Sequence, residues 1–283
     1  TGLRKAFPDI HFTYCMDDDI VTGKPVLERE GFKLYLIDGR EHCLCLTNDH
    51  DVATGLVVAE VIDELGFRRR TVGVAPVGCA VLAYNYFTFD FQEAAHGRAP
   101  AMATGIKRVR PDLMVFTYQG DGDLASIGMG EIIHAANRGE KFTTIFVNNA
   151  IYGMTGGQMA PTTLPDQHTS TSPFGRNVNE VGMPIKVAEL LAALQTPAYI
   201  TRQTVIKPKY ITKAKKAIKQ AFSYQIENTC FSFVELVSTC PTNWGMTPLD
   251  AIKWAENKML PYYSLGVFKT PEDGNEVQTP SSQ

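Results

Sequence analysis

The stretch Leu113-Met-Val-Phe-Thr-Tyr118-Gln-Gly120-Asp121-Gly122, with the later Phe142-Thr-Thr-Ile-Phe-Val147-Asn148-Asn149, decides how the rest of the chain is read. Each is a short apolar run, rich in β-branched and aromatic residues, closed by small polar ones. That is the pattern of a buried strand running into its loop. Between them, residues 125–137 carry a helical period. Strand, helix, strand is the repeating unit of a parallel sheet. Ligands of such sheets gather at the carboxyl ends of the strands, so Gly120-Asp121-Gly122 and Asn148-Asn149 are expected on one rim. An Asp carboxylate and an Asn carbonyl are hard oxygen donors, the kind magnesium takes together with phosphate oxygens. Glycines beside Asp121 let the backbone approach an anion, towards which the following helix points its amides. Either motif alone reads as a turn; the pair, each behind its own strand, reads as a site.

The same alternation extends outward. Helices are expected over 52–65 (closed by Gly66), Ala99–Val109, 185–194, 211–225 and 248–256, the last with Pro248 in its first turn. Strands are expected at Thr71–Ala75, 113–118, 142–147, 198–201 and Phe231–Val237. The predicted fold class is α/β, a doubly wound, mostly parallel sheet with helices on both faces. Two stretches break the rhythm. Residues 150–177 are too long for a simple connection, and such loops are usually functional or disordered. The polar tail 270–283 reads as mobile. The expected organisation is a divergent N-terminal segment over 1–56, one domain over 57–269, and the tail over 270–283.

Composition narrows the partners. The chain of 283 residues is 44% hydrophobic and 20% charged, with a formal net charge of −3, ordinary for a globular protein and without a basic field for nucleic acid. No apolar run reaches bilayer length, and no signal-peptide pattern opens the sequence, so a soluble, cytoplasmic protein without membrane contact is expected. The cysteines Cys15, Cys43, Cys45, Cys79, Cys230 and Cys240 are then not a disulfide framework. By default such residues are small buried hydrophobes.

Gly120-Asp121-Gly122, followed at this spacing by Asn148-Asn149, resembles the thiamine diphosphate motif. The continuation Ile151-Tyr-Gly-Met-Thr-Gly-Gly-Gln158 is similar to the narrower signature of the 2-oxoacid:ferredoxin oxidoreductases. Val77-Gly78-Cys79, His96-Gly97-Arg98 and Ala103-Thr-Gly-Ile-Lys107 resemble the same family, and Cys240-Pro-Thr-Asn-Trp-Gly245 looks like its branched-chain (2-oxoisovalerate) branch. The resemblance covers about 57–269.

It implies the thiamine diphosphate-binding fold and the thiamine diphosphate-binding, beta-type subunit of a heteromer. It implies magnesium bound by the side chains of Asp121 and Asn149 and the carbonyl of Ile151. Gly120, Gly122, Asp123, Thr155 and Gly157 would surround the diphosphate, with Cys79 near the cofactor or a cluster. His96 and Arg98 would face the active site; a structural histidine and a surface ion pair are their plainer readings. The implied reaction is CoA-dependent oxidative decarboxylation of a 2-oxoacid, with ferredoxin as acceptor. An alpha-type, pyrimidine-binding subunit would supply the glutamate that this chain lacks a second domain to provide.

A [4Fe–4S] cluster is the point of departure from the family pattern. The family often carries Cys-Pro-Gly-Cys near its start, with later partners matching Cys79 and Cys240. Here the stretch reads Cys43-Leu-Cys45-Leu-Thr-Asn48-Asp-His50, so Cys45 takes the first place and Asn48 stands where the second cysteine belongs. That keeps two rivals open: a subunit of a non-oxidative thiamine-dependent 2-oxoacid decarboxylase, and a non-catalytic subunit that binds the cofactor for assembly. His11-Phe-Thr-Tyr-Cys-Met-Asp-Asp-Asp19, in the segment unlike the family, reads as a solvated polar element.

Overall fold

The computed structural model describes residues 11–15, 27–29, 32–37, 42–46, 50–85 and 87–274. The N-terminal strands β1 (His11–Cys15), β2 (Leu27–Arg29), β3 (Phe32–Ile37) and β4 (His42–Leu46) form a sheet in the order β1-β4-β3-β2, with β1 parallel to β4 and the other pairs antiparallel. The expected Cys45 lies in β4, its backbone opposite Tyr14 and Leu34. Its side chain, Asn48 and the Asp17–Asp19 run lie outside the described residues, as does the tail beyond 274.

The main sheet contains β5 (Thr71–Ala75), β6 (Asp90–Glu93), β7 (Met114–Gly120), β8 (Thr143–Asn148), β9 (Ala198–Thr204), β10 (Phe231–Val237) and β11 (Gly266–Lys269). Their order is β11-β9-β10-β8-β7-β5-β6, parallel throughout except for β11. Helices α1 (His50–Glu64), α2 (Ala99–Val109), α3 (Met129–Arg138), α4 (Val187–Ala192) and α5 (Pro208–Ile226) cover it. Residues of α1 and α5 pack on one face, with Met114, Phe116 and Tyr118 of β7 and Val234 and Leu236 of β10. Residues of α2, α3 and α4 pack on the other, with Val115, Phe146, Phe231 and Phe233. Successive strand residues point to opposite faces, so strands buried on both sides read as continuous apolar runs.

Three features differ from the sequence pattern. The helix expected over 125–137 is divided into a wide turn at Asp123–Ile127 and α3. Gly128 lies at the division, where an added Cβ would come within 2.6 Å of the Asp123 carbonyl oxygen and 2.9 Å of that of Gly97. Only glycine lets these backbones meet. The edge strands β6 and β11 were not expected. β6 exposes Asp90, Gln92 and Glu93, the polar residues that keep an edge from pairing further; β11 has an irregular register. The segment 150–177 is not a loose loop either. Arg176, only 5% exposed, donates to the carbonyl oxygens of Ala160, Pro161, Thr163, Val181, Gly182 and Met183 and so holds the segment together.

Candidate active site

β7 ends at Gly120 and its parallel neighbour β8 at Asn148, which puts both motifs side by side at one rim. There a cleft of about 230 Å³ opens, lined by Gly120, Asp121, Gly122, Asp123, Asn149, Ile151 and Thr155 from the two motifs, with Cys79, His96 and Tyr118.

Asp121 is buried, and both of its oxygens are held. Oδ1 accepts the Thr162 hydroxyl, and Oδ2 accepts the Asn149 backbone N–H at 3.0 Å. Burial pushes its carboxyl up to about 7, against the hydrogen bonds from Thr162 and Asn149, and the nearby Glu235 carboxylate adds to the rise. The Asn149 side-chain amide comes within 2.8 Å of both the Ile151 carbonyl oxygen and Asp121 Oδ2, and its nitrogen donates to the two. The Asp121 carboxylate, the Asn149 side chain and the Ile151 carbonyl thus converge on one point of the cleft. A cation bound among the three would be met by the Asn149 amide turned to present its oxygen. Hard oxygen donors of this kind fit magnesium.

The charge balance of the cleft agrees with a cation. Its lining contains two carboxylates, Asp121 and Asp123, and among the lining side chains only His96 can carry a positive charge. A diphosphate entering this lining needs a divalent cation to offset the carboxylates, together with backbone N–H groups.

Asp123 takes a different part from Asp121. Its Oδ1 accepts the Gly97 N–H at 2.6 Å and lies 2.7 Å from His96 Nδ1, while Oδ2 accepts from Gln119. Burial raises its carboxyl, and the Gly97, Gln119 and His96 contacts oppose the rise. With these donors in place, the Asp123 side chain orients His96, whose Nε2 is the ring nitrogen left for a ligand in the cleft.

Arg98 is instead half exposed in an ion pair with Glu131 and is not among the residues lining the cleft. Gly157 is also outside the lining; at φ 82 it passes beside Asn243, 3.2 Å from where its Cβ would stand. Thr155 lines the cleft and bonds Gln158 across the glycine turn.

Cys79 and Cys240, far apart in sequence, meet at Gly153. A Cβ there would lie 3.1 Å from Cys79 Sγ and 3.7 Å from Cys240 Sγ. Asn243 donates to both Cys240 Sγ and the Gly153 carbonyl at 3.1 Å. Among the described residues no group of three His, Cys, Asp or Glu side chains gathers as a metal site.

Thr162 and Gln119 support the site without any motif to announce them, and Asn243 does so from within the Cys240–Gly245 stretch, which gave it no role of its own. Thr162 is one of two adjacent threonines in a Pro-Thr-Thr-Leu run, and only the folded loop shows which of them reaches Asp121.

Residues 76–236 match the family described as the thiamine pyrophosphate enzyme, C-terminal TPP binding domain. Residues 1–61 match a family of unknown function (DUF6129). Over 213 residues the chain is 53% identical to ketoisovalerate oxidoreductase subunit VorA of Methanothermobacter thermautotrophicus, covering 75% of this chain and 45% of that protein. It is 40% identical over 202 residues to 2-oxoglutarate synthase subunit KorB of Archaeoglobus fulgidus, covering 70% of this chain and 71% of that one. A solved 2-oxoglutarate:ferredoxin oxidoreductase from Magnetococcus marinus, with 2-oxoglutarate, coenzyme A and succinyl-CoA bound, shares the fold at a TM-score of 0.61 and 24% identity, covering 83% of this chain and 70% of that one.

Fold, cleft and matched domain define a thiamine pyrophosphate enzyme domain. Within that class the chain belongs to the beta-type subunits of the 2-oxoacid:ferredoxin oxidoreductases. It spans under half the length of the VorA relative (45%). Among the described residues no helix is long and apolar enough to cross a membrane.

Proposed function

We propose that the chain binds thiamine diphosphate with Mg2+ in the Asp121 cleft and, with partner subunits, oxidatively decarboxylates a branched-chain 2-oxoacid to an acyl-CoA and carbon dioxide, passing electrons to ferredoxin. The observation that carries this reading is the convergence of the Asp121 carboxylate, the Asn149 side chain and the Ile151 carbonyl in one cleft. The name of the VorA relative supports 2-oxoisovalerate as the first substrate to try. When bound, thiamine diphosphate supplies a nucleophilic carbon and an electron sink for the decarboxylation.

The chain's own residues hold and orient. Asp121, Asn149 and the Ile151 carbonyl take the cation. Gly120, Gly122 and Thr155 border the room for the diphosphate, and Asp123 fixes His96 so that Nε2 can exchange a proton with a ligand in the cleft. In this reading 57–269 is the catalytic domain and the complex is cytoplasmic. An alpha-type subunit completes the cofactor site, and Cys79 with Cys240 forms one side of an iron–sulfur site.

The test is an anaerobic assay of the native complex with 2-oxoisovalerate, with and without CoA, following viologen reduction. CoA-dependent reduction is expected. Carbon dioxide release without dye reduction would replace the oxidative reading with the non-oxidative decarboxylase.

A further inference from the structure

Beneath the cleft lies a buried ionic group that the site described so far does not use. Glu235 sits within the interior strand β10, opposite Arg202 of β9 and Phe146 of β8, and both Glu235 and Arg202 are 0% exposed. Arg202 forks onto the carboxylate of Glu189, donates to the Ser264 carbonyl at 3.2 Å, and lies against the rings of Tyr263 and Phe268. Its Nε stands 2.9 Å from Glu235 Oε2, but off the N–H axis, an ion pair rather than an aligned hydrogen bond. Glu189 alone already balances Arg202. Glu235 adds a second buried carboxylate to the group; burial pushes its carboxyl up, against the pull of Arg202 and Asn148, and such a group is unfavourable for stability compared with an apolar side chain.

The other Glu235 oxygen explains its presence. Oε1 accepts from Asn148 Nδ2 at 2.7 Å. A carboxylate only accepts, so it dictates which way the Asn148 amide faces. The Asn148 oxygen is therefore turned to the Ala150 N–H, at 3.2 Å, closing a local side-chain turn. Ala150 is held there at φ 58, a left-handed conformation that alanine rarely adopts. Its carbonyl is fixed in turn by Thr163 Oγ1 at 2.7 Å and Gln167 Nε2 at 3.1 Å. This reversal brings the Asn149 N–H to Asp121 and the Ile151 carbonyl back to the Asn149 side chain.

We propose that Glu235, buried between Arg202 and Asn148, is a positioning residue that sets the Asn148–Ile151 turn in its cation-binding form. The inference rests on the reading of the cleft as a magnesium site. It explains why a carboxylate, and not an amide of the same shape, occupies the position. With Gln at 235, one contact must become donor against donor. Either the Gln nitrogen faces Arg202 Nε, or it faces Asn148 Nδ2 and turns the Asn148 amide nitrogen towards the Ala150 N–H.

This logic names its own rescue. In the double variant Asn148→Asp/Glu235→Gln, the Gln nitrogen donates to the carboxylate introduced at position 148 and the Gln oxygen faces Arg202. The second oxygen of that introduced carboxylate still accepts from the Ala150 N–H, and the net charge is unchanged. The experiment is a titration of the native complex, stripped of metal, with Mn2+ in the presence of thiamine diphosphate, reading free Mn2+ by its paramagnetic resonance signal. Melting of the cofactor-free protein is followed in parallel. Glu235→Gln and Asn148→Asp alone are each expected to raise the half-saturating Mn2+ concentration by roughly tenfold, about 1.4 kcal/mol, and the double variant to return it to within about threefold of wild type.

Wild-type Mn2+ affinity in Glu235→Gln would overturn the proposal, whatever happens to the melting temperature. So would a double variant as weak as the singles. Should a single variant fail to accumulate, the double variant decides by the same criterion. Failure of the wild type itself to bind Mn2+ would instead overturn the magnesium reading of the cleft.

Discussion

Replacing Asp121 with Ala is expected to remove cation and cofactor binding together and to bring the activity of the complex to background. In the proposed site Asp121 is the one ionised oxygen ligand, while Asn149 and Ile151 would contribute neutral oxygens. Without it the cleft loses the charge that draws a divalent cation. Affinity for Mg2+ should fall on the order of 100-fold or more, about 2.7 kcal/mol. Titration calorimetry on the native complex checks this directly. A variant that keeps full activity would support a purely structural role for the site.

The folded protein should tolerate the companion change Asp121→Asn well, and the sign follows from the carboxyl's environment. Burial raises Asp121 from its ordinary 3.8 to about 7. Between those values the cation-free folded state holds a proton that the unfolded chain releases. Stability therefore falls as pH rises through this window, and the loss is complete above it. Removing the ionisable group removes that loss, so at pH 7.5 the cofactor-free Asn variant should be at least as stable as wild type. Loss of binding without loss of stability is the pattern of a residue placed for function. Urea unfolding of the cofactor-free protein across pH 5–8 reads it.

Arg176→Met carries the largest expected effect on the fold. The guanidinium is buried, and it serves six carbonyl oxygens on both sides of the loop, with the shortest contacts 2.9 Å to Gly182, 3.0 Å to Ala160 and 3.0 Å to Thr163. Methionine fills much of the volume but leaves those carbonyls without donors inside the protein. Hydrogen bonds from a charged group count for roughly 1.5–3 kcal/mol, and orphaned buried acceptors cost more than a lost contact. A destabilisation of about 3–5 kcal/mol is expected, read as a lower denaturation midpoint. The site should suffer as well. Ala160 and Thr163 flank Thr162, which holds Asp121, and Thr163 also holds the Ala150 carbonyl. Limited proteolysis should cut first within 158–183. Unchanged stability and an uncut loop would show that the carbonyls find other partners.

The parts legible in the sequence are those where one residue type meets one local requirement. The runs ending at Gly120 and Asn148 read as strands because both faces of the sheet are covered, so their residues are apolar without alternation. Asp121, Asn149 and Ile151 were legible as neighbours because they follow consecutive strand ends, which the parallel sheet sets side by side. The division at Gly128 was not, since it is set by how closely the Gly97 backbone approaches, and helical periodicity carries no trace of that. Arg98 shows the same limit: its place beside His96 in sequence says nothing of Glu131, its partner in space. The Glu235–Arg202–Glu189 group was hidden in a similar way, its members lying on β10, β9 and α4, which meet only in the folded sheet.

The most direct test of the central claim is a calorimetric titration of thiamine diphosphate into the native complex after chelation, with and without Mg2+. Saturable binding that appears only when Mg2+ is restored, and that disappears in Asp121→Ala, is the predicted result. Binding of equal strength without a divalent cation, or undiminished in Asp121→Ala, would contradict it.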